Sequence, residues 1–178
     1  MNTFTYFFLF ALAASLGVRF WLAARHIAHV RKHRETVPDS FAGRVPLEDH
    51  HKAADYTLTN TRVGRYALIY DSLLLLGWTL GGGLEWLDNS WRAAELQPVI
   101  TGTAVMFSAV LIMTVLDLPF SLYHTFVVEE RFGFNRSTPA VFVTDLLKNA
   151  LLLVIIGGPL IALALWIMEA SGGLWWLY

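Results

Sequence analysis

The run "ALLLVIIGGPLIALALWIM", Ala150 to Met168, is nineteen residues long and carries no charge. Crossing a hydrocarbon core of about 30 Å takes roughly 20 mostly apolar residues in helix. A segment like this is most at home in lipid. Three further runs qualify: Asn2 to Ala24, Tyr66 to Leu84 and Val99 to Leu118. Strands are excluded as the spanning element, because an open sheet edge leaves backbone groups unsatisfied in lipid. Composition agrees: 56% of the residues are hydrophobic and 15% charged, with mean hydropathy +0.51, more apolar than a soluble domain. The expected fold is all-α, an integral membrane helical bundle forming one module over residues 1–178. Its helices cover about 2–24, 66–84, 99–118 and 150–168.

The first run lacks a positively charged leader and exceeds a typical signal-peptide core, so a retained helix is expected. At the other end, "GGLWWLY" has a turn-like Gly172-Gly173 followed by an aromatic-rich apolar start. It reads as the opening of a fifth helix cut short, from residue 174; a tail with aromatic anchors is the alternative. With no cysteine in the chain, disulfides and thiolate zinc sites are excluded.

Lysine and arginine give a direction. Between the first two spans lie Arg25, Arg31, Lys32, Arg34, Arg44, Lys52, Arg62 and Arg65; the next connection has only Arg92; the third has Arg131, Arg136 and Lys148. The positive-inside rule then puts loops 25–65 and 119–149 in the cytoplasm and the N-terminus outside, in a bacterial inner membrane or the endoplasmic reticulum membrane. Trp86 and Trp91 suit an outer aromatic belt. The lipid bilayer is the expected partner, and no nucleic acid is.

Against this background "YHTFVVEERFGFNRST", Tyr123 to Thr138, is dense in polar groups. Pro119 is expected to end or kink the third helix, since it lacks an N–H and restricts its predecessor. Gly133 offers a turn. Thr138 and Pro139 read as N-cap and first position of a short helix leading into the fourth span. On it, Asp145 and Lys148 stand three apart and can face one another. The cluster is then a structured connector on the water side. It is either a solvated loop with ordinary surface charges or a network that docks a second domain or lines a substrate path.

Other polar groups have plainer readings. His26, His29 and His33 share one helical face, but Arg25, Arg31, Lys32 and Arg34 around them oppose a dication, so a basic headgroup face is favoured over zinc. His50-His51 resembles an exposed polar helix start. His124 beside the cluster is a hydrogen-bonding candidate. Asp71 and Arg19 are the ionisable residues inside spans; they either pair in the bundle or snorkel separately. "IIGGPL", Ile155 to Leu160, predicts a kink or a close helix contact.

"LPFSLYHTFVVEERFGFNRST", followed by Asp145 and Lys148, resembles the N-terminal membrane region of the type I CAAX prenyl proteases, integral-membrane zinc metalloproteases of the gluzincin kind. "KAADYT" (Lys52 to Thr57), "VRKHRETVP" before it and "GGLWWLY" are similar to the same family in the same order. The resemblance implies a barrel-like helix bundle around a water-filled chamber, into which substrates pass between helices. Eukaryotic members remove the C-terminal tripeptide from prenylated CAAX proteins; bacterial relatives have a less settled peptide range. That catalysis requires H-E-x-x-H, with two histidines on zinc and the glutamate activating water. None of the six histidines here is followed by glutamate. Zinc is therefore expected only with a catalytic part absent from this chain, and the chain alone is not expected to hydrolyse peptides.

Three functions compete. The chain is the membrane module of a CAAX-type protease, with Glu129, Glu130, Arg131 and Asn135 bracing the catalytic domain or chamber wall and Asp145 and Lys148 nearby. Alternatively it is a stand-alone four-helix scaffold, or a small transporter subunit using Asp71.

Overall fold

The computed structural model describes residues 2–41 and 43–172, and their regular structure is entirely helical. Helix α1 is Thr3–His33, α2 Leu47–Thr79, α3 Gly83–Arg92 and α4 Pro98–Tyr123. A π-helical stretch, His124–Glu129, joins α4 to the single turn α5, Glu130–Phe132. Helix α6, Pro139–Leu152, passes through a second π-helical stretch, Leu153–Gly157, into α7, Gly158–Ser171. The expected fifth helix lies outside the described residues.

Three helical runs are long and apolar enough to cross a membrane: Thr3–His33, Pro98–Phe132 and Pro139–Ser171. Their apolar windows bury 0%, 6% and 0% of their residues within the protein. Such faces need a non-aqueous neighbour, and a bilayer supplies it. The second expected span, 66–84, is broken. Helix α2 stops at Thr79, and α3 leaves it at 47°, so this pair counts as one bent span or a re-entrant loop. Glycine is the cause. Gly82 adopts φ +78, and a Cβ on Gly81 would lie 2.6 Å from the Gly77 carbonyl oxygen, so an L side chain is refused there.

Pro119 does not end the helix, one of the two outcomes expected of it: α4 carries it in its interior to Tyr123. The missing N–H costs one ladder bond, a loss that membrane helices absorb through neighbouring groups and local changes of turn. The wide turn at His124 follows shortly. The "EER" residues are consequently helical, and the chain reverses at Gly133, whose φ of +71 is left-handed. The short helix and the fourth span are also one continuous rod, Pro139–Ser171. Its start is as expected: the Thr138 side chain accepts from the Val141 N–H, and Pro139 opens the helix.

The chain divides into two compact units, Met1–Leu75 with Leu122–Asn135, and Leu76–Ser121 with Arg136–Tyr178. In the first, α1 and α2 run antiparallel, as the pairings Arg34 with Asp55 and Phe20 with Arg65 require. Its buried apolar side chains are Ile27, Ala54, Leu58, Val128 and Phe132. In the second, α4 and α7 are antiparallel and approach through glycines. A Cβ on Gly102 would meet Leu165 at 3.0 Å, and one on Gly158 would meet Phe107 at 3.4 Å. Small residues permit that spacing where no hydrophobic drive exists between helices in lipid. "IIGGPL" thus produces both a wide turn and a close contact. The Trp91 indole donates to Ser108 Oγ at 2.9 Å, which ties α3 to α4.

Candidate functional site

Helix α2 enters from Pro46 with Glu48 and Asp49 in its first turn, where acids favour the helix dipole. Lys52, Tyr56 and Asn60 follow at i, i+4 and i+8, a spacing that sets them on one face. The segment after α4 docks on that stripe. The Lys52 ammonium lies 5.2 Å from the Phe134 ring centre. Tyr56 meets Phe132 and Phe134 edge-on, with centroids 5.4 and 4.9 Å away. Such edge-to-face pairs are worth about 0.5–1.5 kcal/mol each beyond burial. Asn60 Oδ1 is 2.9 Å from His124 Nε2. Phe132 and Val128 are buried behind these contacts, so the segment is clamped along its length.

On this frame the expected cluster is only partly self-satisfied. His124 Nδ1 stands 3.4 Å from Glu129 Oε1, with Glu129 half-buried. The Glu129 main-chain carbonyl accepts from the Phe134 and Asn135 N–H groups, closing the turn that Gly133 permits. The Asn135 amide donates to Glu130 Oε2 at 2.9 Å. Glu130 and Arg131 remain exposed. Arg131 leans over the Phe132 ring at 5.8 Å. His124 is thus the partner its position suggested.

A second set of charges in the same unit was not legible in the sequence. Arg34, just past α1, grips Asp55 with Nε at 2.9 Å and Nη2 at 2.8 Å, the fork geometry in which arginine binds carboxylate most strongly. Its Nη1 donates to Glu35 at 2.6 Å. The Asp55 and Glu35 contacts drive the Arg34 pKa upward, and Arg34 in turn holds Glu35 below the usual carboxylate range. His51 Nε2 is shut from solvent and lies 3.1 Å from Glu35 Oε2, outside hydrogen-bond alignment. His50, by contrast, points its Nε2 at the His33 carbonyl, 2.9 Å away. His51 is therefore not the exposed helix-start residue it resembled. The one available signal was the i, i+4 spacing of His51 and Asp55 inside "HKAADYT", which points both toward the chain end of α1.

The remaining candidates are scattered. Asp145 and Lys148 belong to the other unit, where their charges lie 3.8 Å apart and exposed. Arg19 on α1 and Asp71 on α2 are both exposed. His29 and His33 have ring centroids 4.2 Å apart, and His33 turns its Nδ1 to the His29 carbonyl. Among the described residues no group of three His, Asp or Glu side chains is placed to hold a metal ion. This donor set does not fit the zinc that the resemblance implies.

Comparison with known proteins matches the chain to a family. Residues 26–178 match the model of the CAAX prenyl protease N-terminal region, described as five membrane helices. The chain is 27% identical over 169 residues to the CAAX prenyl protease 1 homolog of Caenorhabditis elegans, covering 94% of this chain and 37% of that protein. It is 30% identical over 156 residues to the homolog of Oryza sativa subsp. japonica, covering 80% and 36%. The crystal structure of S. mikatae Ste24p superposes with TM-score 0.80 at 24% identity, covering 93% of this chain and 40% of that one, which establishes a shared fold. The chain spans little more than a third of the length of these curated relatives. It is an integral membrane protein that belongs to the CAAX prenyl protease N-terminal family.

Proposed function

We propose that this chain forms part of the membrane chamber of a CAAX prenyl protease-like zinc metalloendopeptidase and that its 124–135 segment braces the catalytic part. The observation that carries the reading is the two-sidedness of that segment. One side is locked on Lys52, Tyr56 and Asn60, while Glu130 and Arg131 are presented outward. A rigid base with projecting charges is what a second domain needs to be held in fixed register, because ion pairs between preorganised groups lose little side-chain entropy. The zinc, the water-activating glutamate and the peptide or prenylated substrate belong to the part that this chain does not carry. The lysines and arginines of loops 25–65 and 119–149, against the single Arg92 between them, support a cytoplasmic placement of the brace, in the endoplasmic reticulum or a bacterial inner membrane. Asp145 and Lys148, in the other unit, are the further docking candidates in this reading.

The test joins this chain to the catalytic part of a relative carrying H-E-x-x-H and follows cleavage of a prenylated peptide. Arg131→Ala is expected to lower kcat roughly tenfold, the equivalent of about 1.4 kcal/mol of lost positioning, with Arg131→Lys intermediate. Unchanged turnover together with unchanged thermal stability overturns the bracing role.

A further inference from the structure

A cavity of about 150 Å³ opens between α1 and α2, lined by Phe20, Arg62, Arg65, Tyr66 and Ile69. Water occupies about 30 Å³ per molecule in the liquid, so this space holds a phosphate group with room to spare. Arg62 and Arg65 are three apart on α2, hence on one face. The Arg65 guanidinium rests 5.1 Å from the centre of the Phe20 ring, which fixes its plane before any ligand arrives. Among the described residues lining the cavity there is no carboxylate. Two guanidiniums on one helix face, one of them held on an aromatic ring and with no acid in the lining, form a receptor for an anion that accepts several hydrogen bonds, and phosphate is the best match.

The position of the cavity selects the source of that phosphate. Arg62 and Arg65 immediately precede the apolar run that begins at Tyr66, and Phe20 lies at the corresponding end of the first apolar run. The cationic wall thus sits at the water–lipid boundary. The rest of the lining, Phe20, Tyr66 and Ile69, is aromatic or aliphatic, and all three residues belong to the two apolar runs. Tyr66 and Ile69 are exposed, so a chain attached to the phosphate can lie against them. One level along α1, Arg25 stands 4.8 Å over the Trp21 ring, adding positive field at the same boundary. We infer that this cavity binds the phosphate headgroup of an anionic phospholipid, with its glycerol and first acyl carbons against Phe20, Tyr66 and Ile69.

The full chain, purified in mild detergent, is incubated separately with phosphatidylglycerol, phosphatidylcholine and inorganic phosphate. Retained lipid is counted by native mass spectrometry. The expected result is one retained phosphatidylglycerol, little phosphatidylcholine, and no displacement by inorganic phosphate at millimolar concentration. Arg62→Gln/Arg65→Gln is expected to weaken retention roughly tenfold or more, as loss of charge-assisted hydrogen bonds predicts. Arg62→Gln alone leaves the Arg65–Phe20 contact in place and is expected to weaken it by a smaller factor with an unchanged melting temperature. Equal retention of both lipids, or equal retention by wild type and both variants, overturns the inference. Displacement by inorganic phosphate overturns the assignment to lipid.

Discussion

The two compact units are held by different chemistry. In the unit of residues 1–75 and 122–135, the fastenings are polar and aromatic: Arg34 on Asp55, Tyr56 between Phe132 and Phe134, His124 on Asn60. In the unit of residues 76–121 and 136–178, helices touch through Gly102 against Leu165 and Gly158 against Phe107, with the Trp91–Ser108 bond as a cross-tie. Charged contacts specify one arrangement and respond to salt and pH; glycine contacts depend on shape and ignore both. The first kind suits a surface that must present groups in fixed geometry. The second suits helices whose other faces meet lipid.

The comparison can be broken by substitution, most sharply at its aromatic core. Phe132→Ala removes a buried ring that also carries Tyr56 and Arg131, and a loss of about 3 kcal/mol is expected in denaturant titration of the detergent-solubilised protein. Gly158→Val pushes a branched side chain at the Phe107 ring; about 2 kcal/mol of destabilisation is expected, independent of added salt. A salt-dependent loss there would remove the distinction between the units. Asp55→Ala strips the half-exposed Arg34 of its forked partner, with about 1 kcal/mol expected and most of it abolished in molar salt.

Acid tests the same region through Glu35. Its folded pKa is depressed, chiefly by the hydrogen bond from Arg34. The stabilisation is therefore fully present above the ordinary glutamate value and is lost as pH falls through the lowered one. A shift of the melting temperature in that acid window, absent in Glu35→Gln, is the expected signature. Smallest of all is Lys148→Ala, which breaks an exposed 3.8 Å contact; less than about 0.5 kcal/mol is expected in the same titration.

Local chemistry was legible in the sequence and tertiary chemistry was not. Thr138 and Pro139 open a helix, Gly133 reverses the chain, and Asp145 faces Lys148, because each needs only near neighbours. The apolar runs announced a helical membrane protein for the same reason. The break after Thr79 was written in Gly81-Gly82-Gly83, but hydropathy alone joined the two sides into one span. Of the two outcomes expected at Pro119 the helix end is not seen, since the usual helix-ending effect weakens where a long apolar rod has no alternative but to stay helical. The Arg34–Asp55 clasp joins residues twenty-one apart, and no periodicity in either helix marks them as partners. Of the candidate brace, "EERFGFN" was visible as a dense polar stretch, while the α2 stripe that holds it, Lys52, Tyr56 and Asn60, shows no pattern of its own that marks it as a docking face.

The π-helical stretch His124–Glu129 has a consequence for angular phase. An α-helix advances about 100° per residue, and a wide turn accommodates one extra residue without lengthening the ladder of bonds in step. Winding the same residues as an ordinary α-ladder would leave that extra residue unabsorbed. Everything beyond would then rotate by about 100° around the axis: Phe132 would leave its seat against Tyr56, and Arg131 would sweep off its outward bearing. That one surplus residue sets the compass heading of the whole charged tip.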